Sequence, residues 1–254
     1  MFGIRAGDLR RFADLATPSF FEVVPMRSLW TQGRELLAST KDDAAFERLL
    51  RSVDAMLSDA DVPLLARPVA EAPASSPPPS DPEQARRRGE LVLRLYFAQL
   101  GRADQTALDL RQARFHATDD TADSPMVWTP RPLSVTWDPE FIAGIRGLYH
   151  GFYRDDDEQF ERSAAALGLS AATDLFRQQF GEGDQSQVRF DLDRFKESFH
   201  EIFVRCREHG ASLHPNFVAL GVYLGGLYEH LDALAVSLDA RGAFEAVWPR
   251  AATH

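Results

Sequence analysis

The sequence predicts a mainly α protein: a helical, bundle-like C-terminal domain carrying one small β-hairpin, preceded by a small helical N-terminal region. Three observations carry this expectation. Apolar residues recur at helical spacing through most of the 254 residues, which are 44% hydrophobic and so can bury a sizeable core. Phenylalanine outnumbers tyrosine 18 to 5, which favours packed helix interfaces over a polar binding surface. The only β-like runs are short and flank a polar cluster at Asp119–Ser124.

Residues 1–66 read as the N-terminal helical region. Phe20, Phe21, Val23 and Val24 form an apolar cluster between Pro18 and Pro25. Thr40-Lys41-Asp42-Asp43 resembles a capping box with Asp in place of Glu or Gln, and Phe46, Leu49, Leu50, Val53, Met56 and Leu57 then share a helical face. Residues 67–87 read as a linker. Pro68, Pro73, Pro77, Pro78, Pro79 and Pro82 stand among Ala, Ser and acidic residues, with too little apolar content to pack. Arg86-Arg87-Arg88, at its edge, reads as a solvated charge run.

Residues 88–254 form the expected main domain. Leu91, Leu95 and Ala98 share one helical face, which Val92, Tyr96, Phe97 and Leu100 widen until Gly101. Asp119–Ser124 is the turn of the hairpin, and its second extended run covers Val127–Val135. Further helices are expected at about 139–153, 157–167, 171–180, 191–209, 215–237 and 240–248. Gly210 after Arg207-Glu208-His209 is a suitable C′ residue. His214-Pro215-Asn216-Phe217 reads as a helix start with Pro at the first position.

Composition excludes several function classes. The net charge of −10 argues against generic nucleic-acid binding, which needs a positive field. Cys206 is the lone cysteine, so there is no intrachain disulfide framework or zinc ribbon. No run approaches the ~18 apolar residues of a membrane span, and no basic segment leads into an apolar core at the N-terminus. A cytoplasmic protein without a transmembrane segment is the expectation.

Glu197-Ser198-Phe199-His200 has the E-x-x-H spacing of di-iron bundles, but those need two such motifs and this sequence has one. Asp155-Asp156-Asp157-Glu158 opens a helix, where acids cap and meet the macrodipole favourably. Cys206 reads as a small buried side chain and His214 as structural. No nucleophile elbow, Walker A loop or G-x-G-x-x-G loop occurs. The segment from Leu108 to Gly168 does have the layout of a phosphate-handling site, with arginines where metal-binding acids would stand.

From Gly89 to about Leu234 the chain resembles the C-terminal part of the AarF/UbiB family of atypical protein-kinase-like proteins. Gly89-Glu90-Leu91-Val92-Leu93-Arg94 is similar to the family's helix beginning near Gly-Glu, and Asp109-Leu110-Arg111-Gln112-Ala113-Arg114 matches its D-P-H-P-G-N loop. Arg131-Pro132-Leu133 falls where D-F-G would stand, and Asp138-Pro139-Glu140-Phe141 resembles its next helix start. The stretch Tyr149–Gly168 and the step Arg207–Pro215 are also similar.

The resemblance implies a kinase C-lobe-like fold. It also implies that Asp109 occupies the place of the catalytic acid, while Arg114 and Arg131 occupy both metal slots. Arginine is always protonated and accepts no metal. Nothing before Gly89 shows a glycine-rich loop or a nucleotide lysine. The expectation is therefore a non-enzymatic, pseudokinase-like binding or assembly protein with no cofactor and no metal. Asp109 would be catalytic only if the protein were an enzyme, and Arg111, Arg114 and Arg131 are candidate anion-binding residues. The partner is an unidentified protein, with a phosphate-bearing or hydrophobic small ligand as a further possibility. The alternative is a metal-independent phosphate- or nucleotide-binding enzyme, linked by the resemblance to isoprenoid-lipid metabolism.

Overall fold

The computed structural model describes residues 42–71, 79, 81–117, 126–179, 187–211 and 213–248. Phe20–Val24, Thr40, Lys41 and the Asp119–Ser124 turn lie outside the described residues. Within them the chain is mainly helical, with three small sheets of two or three strands. No described helix is long and apolar enough to cross a membrane.

Helix α1 (Asp43–Asp59) is capped by Asp42, whose side chain accepts from the Ala45 N–H. The face predicted from spacing is the one that packs: Phe46, Leu49, Leu50, Val53 and Leu57 are buried. A turn leads to β1 (Leu64–Ala66), which pairs in parallel with β4 (Met126–Trp128). Residues 43–66 thus share one hydrophobic core with the residues beyond 81, and the boundary expected at residue 66 falls at the end of a strand whose partner lies far along the chain.

Helix α2 (Pro82–Arg102) begins inside the expected linker. Asp81 is its N-cap and Pro82 its first residue. The ring fixes φ where the helix needs it, and the missing N–H would have had no intrahelical acceptor. Residues 82–87, expected as linker, are therefore its first turns. Further on, Leu91, Val92, Leu93, Leu95, Tyr96, Phe97, Ala98 and Leu100 are buried on all sides, as expected of a helix at the centre of a core. It packs against α1, α3 (Pro139–Tyr153), α7 (Phe217–Ala233) and α8 (Ala240–Val247).

The run Val127–Val135, expected as one extended piece, is two strands in different sheets. β3 (Phe115–Ala117) and β4 form the antiparallel hairpin, with Phe115 opposite Trp128. Pro130 and Pro132 interrupt the run, since neither can donate to a ladder. β5 (Ser134–Thr136) then pairs with β2 (Gln105–Ala107). The outward edge of β2 meets a side chain: the Gln99 carboxamide accepts from Ala107 N–H at 3.0 Å and donates to Ala107 C=O at 3.3 Å. Its nitrogen also donates to the Tyr223 hydroxyl at 2.8 Å.

Helices α3, α4 (Asp157–Ala166), α5 (Thr173–Gln179), α6 (Leu192–Glu208), α7 and α8 lie close to the spans expected from the sequence. Asp156, within the acidic run, caps α4 by accepting from Gln159 N–H. Asp155 instead pairs with Arg241 at 2.9 Å. Gly210 ends α6 at φ +68°, the left-handed conformation that glycine tolerates. Helix α7 is shorter than expected at both ends. It starts at Phe217, because the Asn216 side chain accepts from Asp138 N–H and ties the two helix starts together. It stops at Ala233, because β7 (Ser237–Asp239) pairs with β6 (Gln187–Arg189).

All five tyrosines are buried, so the hydroxyls that the composition placed in the minority lie in the core. The hydroxyls of Tyr96 and Tyr149 are 2.5 Å apart and satisfy each other. At Gly151 helix α3 meets backbone of α4 and its cap, where an added Cβ would lie 2.5 Å from Phe160 N and 2.9 Å from Asp156 O. Backbone atoms cannot move aside like a side-chain tip. Gly151→Ala is therefore expected to cost about 1–2 kcal/mol net, because overpacking against backbone, in the upper part of the typical 1–3 kcal/mol, exceeds the roughly 1 kcal/mol gained in helix propensity. Chemical denaturation measures it, and unchanged stability would contradict the close packing of these helices.

Candidate functional site

The expected site residues converge where the segment after β2 passes under the ends of α2 and α7. Three arginine positions meet at Asp109, whose side chain is 1% exposed. Arg111 binds it bidentately, Nε to Oδ1 at 2.6 Å and Nη2 to Oδ2 at 2.7 Å. Arg114 Nε lies 3.2 Å from Oδ2, an ion-pair contact that is poorly directed as a hydrogen bond. The backbone N–H of Arg131 also donates to Oδ2, at 3.2 Å. Burial alone would raise the Asp109 carboxyl, but the Arg111 hydrogen bond, the charges of Arg111 and Arg114 and the Arg131 N–H hold it below the usual carboxylate range.

Local structure explains the convergence. Residues 112–114 form one 3₁₀ turn, closed by Arg114 N–H donating to Arg111 C=O, which brings the two arginines to one carboxylate. Trp128, fully buried in β4, donates its indole N–H to the Asp109 carbonyl at 2.9 Å. Thr129 N–H donates to the Arg114 carbonyl, joining the turn to the end of β4. Glu140, another possible counter-ion for these arginines, is exposed in the first turn of α3.

Two residues of the site were not foreseen. Arg88, expected to be solvated with Arg86 and Arg87, is 7% exposed while Arg86 faces solvent. Its Nη2 donates to the carbonyls of Gln112 at 2.7 Å and Phe115 at 3.1 Å, and its Nε donates to His230 Nε2 at 3.1 Å. These acceptors are all neutral, and burial lowers the Arg88 guanidinium to about 10. His230, in the last turn of α7, has its Nδ1 2.9 Å from the Leu110 carbonyl. That oxygen can only accept, so Nδ1 carries the proton and Nε2 is left as the acceptor for Arg88. The imidazole must be neutral, and burial followed by the Arg88 charge lowers it to about 3.

The position of Arg88 could have been found in the sequence. It stands three, four and seven residues before Leu91, Val92 and Leu95, so the third arginine of the run shares the apolar face. Nothing in the sequence pairs it with His230.

His116 faces the same region, its Nε2 2.9 Å from Thr129 Oγ1. Burial and the charges of Arg88 and Arg114 lower its pKa. The remaining candidates lie elsewhere. Among the described residues, no group of three His, Cys, Asp or Glu side chains is placed to hold a metal, so Glu197 and His200 remain a pair on α6. Cys206 is buried, burial raises its thiol to about 11, and its Sγ contacts the Gly168 carbonyl at 3.4 Å. Such a thiol is a poor nucleophile. His214 stacks on Phe141 at 5.1 Å and accepts from Asn216 N–H.

No known family model matches the chain, and no curated protein matches its sequence.

Proposed function

We propose that this chain is a non-enzymatic, pseudokinase-like helical protein used for binding or assembly. The observation that carries the reading is the state of Asp109. Both carboxylate oxygens are engaged, by Arg111, by the Arg131 N–H and by the Arg114 contact, and the group is buried. A general base must reach the proton it abstracts, and a metal ligand must offer a free lone pair. Asp109 is buried and held by positively charged guanidinium groups, so it is placed neither to reach a substrate proton nor to attract a cation. The resemblance to AarF/UbiB proteins supports the same conclusion, because it places Arg114 and Arg131 where metal ligands would stand. A partner protein is the favoured ligand class.

The test is magnesium-dependent ATP hydrolysis by the purified chain. The expected result is no turnover above background, with or without Mg²⁺. Turnover that requires Mg²⁺ and disappears in Asp109→Asn would overturn the proposal.

A further inference from the structure

We propose that the Arg88–His230 hydrogen bond is an acid-sensitive latch on the turn at residues 111–114, whose release by a proton frees the segment that carries Arg111 and Arg114. The proposal rests on reading this segment as a binding surface only for what the release would disarm. Its first support is the geometry of the pair. Arg88 Nε and His230 Nε2 stand 3.1 Å apart with one hydrogen between them, and Nδ1 already donates to the Leu110 carbonyl. A protonated imidazole carries a hydrogen on both nitrogens and keeps no lone pair. Two N–H groups, each on a cation, would then meet in one gap. Both side chains are buried, so water cannot take up the difference. The groups facing the imidazole are Arg88 from α2, the Leu110 carbonyl and, from β3, the Phe115 ring at 4.8 Å between centroids. Arg88 is the one charge among them, and among the described residues no carboxylate acts on His230 to stabilise a second.

The second support is what Arg88 holds. Its Nη2 fastens the carbonyls of Gln112 and Phe115, within the turn and just after it. Because Nδ1–H keeps His230 on Leu110, Arg88 is the side chain that must withdraw, and both carbonyls lose that donor with it. Residues 111–114 are themselves half-buried or exposed, whereas α2 and α7, which carry the latch, keep Leu95 and Leu231 wholly buried. Opening the turn uncovers little apolar surface and so costs less than unfolding those helices.

The direction follows from the imidazole. His230 titrates at about 3 while the latch is closed and returns toward 6.5 once it opens. Below about pH 6.5, each pH unit therefore favours the open turn by up to about tenfold. His116 also lies by the turn, lowered by burial and by the charges of Arg88 and Arg114, so its titration has to be separated from that of His230.

The experiment is amide hydrogen exchange of the full chain, followed by NMR from pH 7 to 5, with each rate expressed as protection against the intrinsic rate at that pH. The probes are the N–H groups of Arg114 and Phe115, bonded to the Arg111 and Gln112 carbonyls. Their protection should fall about tenfold or more between pH 6.5 and 5, and at each pH should stay below that of Leu95 and Leu231. His230→Gln gains no proton and should make the protection independent of pH, while His116→Gln should leave the fall in place. Protection that does not change with pH in the wild type would overturn the latch. So would a fall that survives in His230→Gln or vanishes in His116→Gln. Protection equal to that of the helix amides would overturn it too, since the turn would then open only with the whole fold.

Should His230→Gln fail to fold, imidazole ¹⁵N shifts of the wild-type chain replace it. Proton uptake by His230 that coincides with the loss of turn protection supports the latch, and uptake with the protection intact overturns it. Magnesium-dependent turnover would remove the binding reading and leave the exchange result standing, so the two can fail separately.

Discussion

Asp109→Ala is expected to lower the unfolding free energy by about 3–5 kcal/mol, the range found when one member of a buried ion pair is removed. The cost comes from what remains. Arg111 and Arg114, at 21% and 16% side-chain exposure, would keep their charges without the carboxylate they share. The Arg131 N–H would lose its acceptor. At this chain length the loss corresponds to a melting temperature lower by roughly 6–20 °C. Asp109→Asn should cost less, since the amide oxygen can still accept one hydrogen bond. Denaturant titration with unchanged m-value measures both. A loss of under about 1 kcal/mol for Ala would show that the cluster does not depend on its central carboxylate.

The second large effect is loss of stability in acid, driven by His230. Its folded pKa, about 3, lies below the unfolded value near 6.5, so between these values the unfolded chain binds a proton that the folded chain does not. Stability is therefore fully present above about pH 6.5 and falls as the pH drops, by up to about 1.4 kcal/mol per pH unit. His116, also lowered, acts in the same direction. Asp109, held below the carboxylate range, adds its loss only at lower pH. His230→Gln keeps a donor for Leu110 and an acceptor for Arg88 but has no proton to gain. It should flatten the stability profile between pH 6.5 and 4.5. An unchanged slope would mean that the imidazole is not held neutral.

Much of the helical order was legible because the chain marks its own helix starts. Asp81-Pro82 and Asp138-Pro139 both place a capping carboxylate before a proline at the first helical position, and Asp156 and Asp191 cap by the same chemistry. The Asp81 signal was present but was outweighed by the proline-rich composition around it. Strands three residues long carry too little periodicity to be read, so the parallel pairing of Leu64–Ala66 with Met126–Trp128 left no local trace.

The gathering of Arg111, Arg114 and Asp109 was readable from spacing and resemblance. The support beneath them was not. The hydrogen bond from Arg88 to His230 joins residues 142 apart in sequence, and a basic run looks the same whether or not its third member turns inward. Buried polar pairs are set by tertiary geometry, and single-sequence patterns do not contain it.

The Gln99 carboxamide has a consequence for the core it lies in. A two-stranded ribbon such as β2–β5 leaves backbone donors and acceptors on its outer side, and at Ala107 these are buried where no water can satisfy them. Both are filled there, because the side chain of Gln99 supplies the acceptor and the donor that an added strand would bring. The carboxamide acts as a one-residue strand from within the molecule, held in α2 and fastened to Tyr223. Replacing it with leucine would keep the volume but leave the buried Ala107 N–H and carbonyl without partners, at a cost of about 1–3 kcal/mol for each.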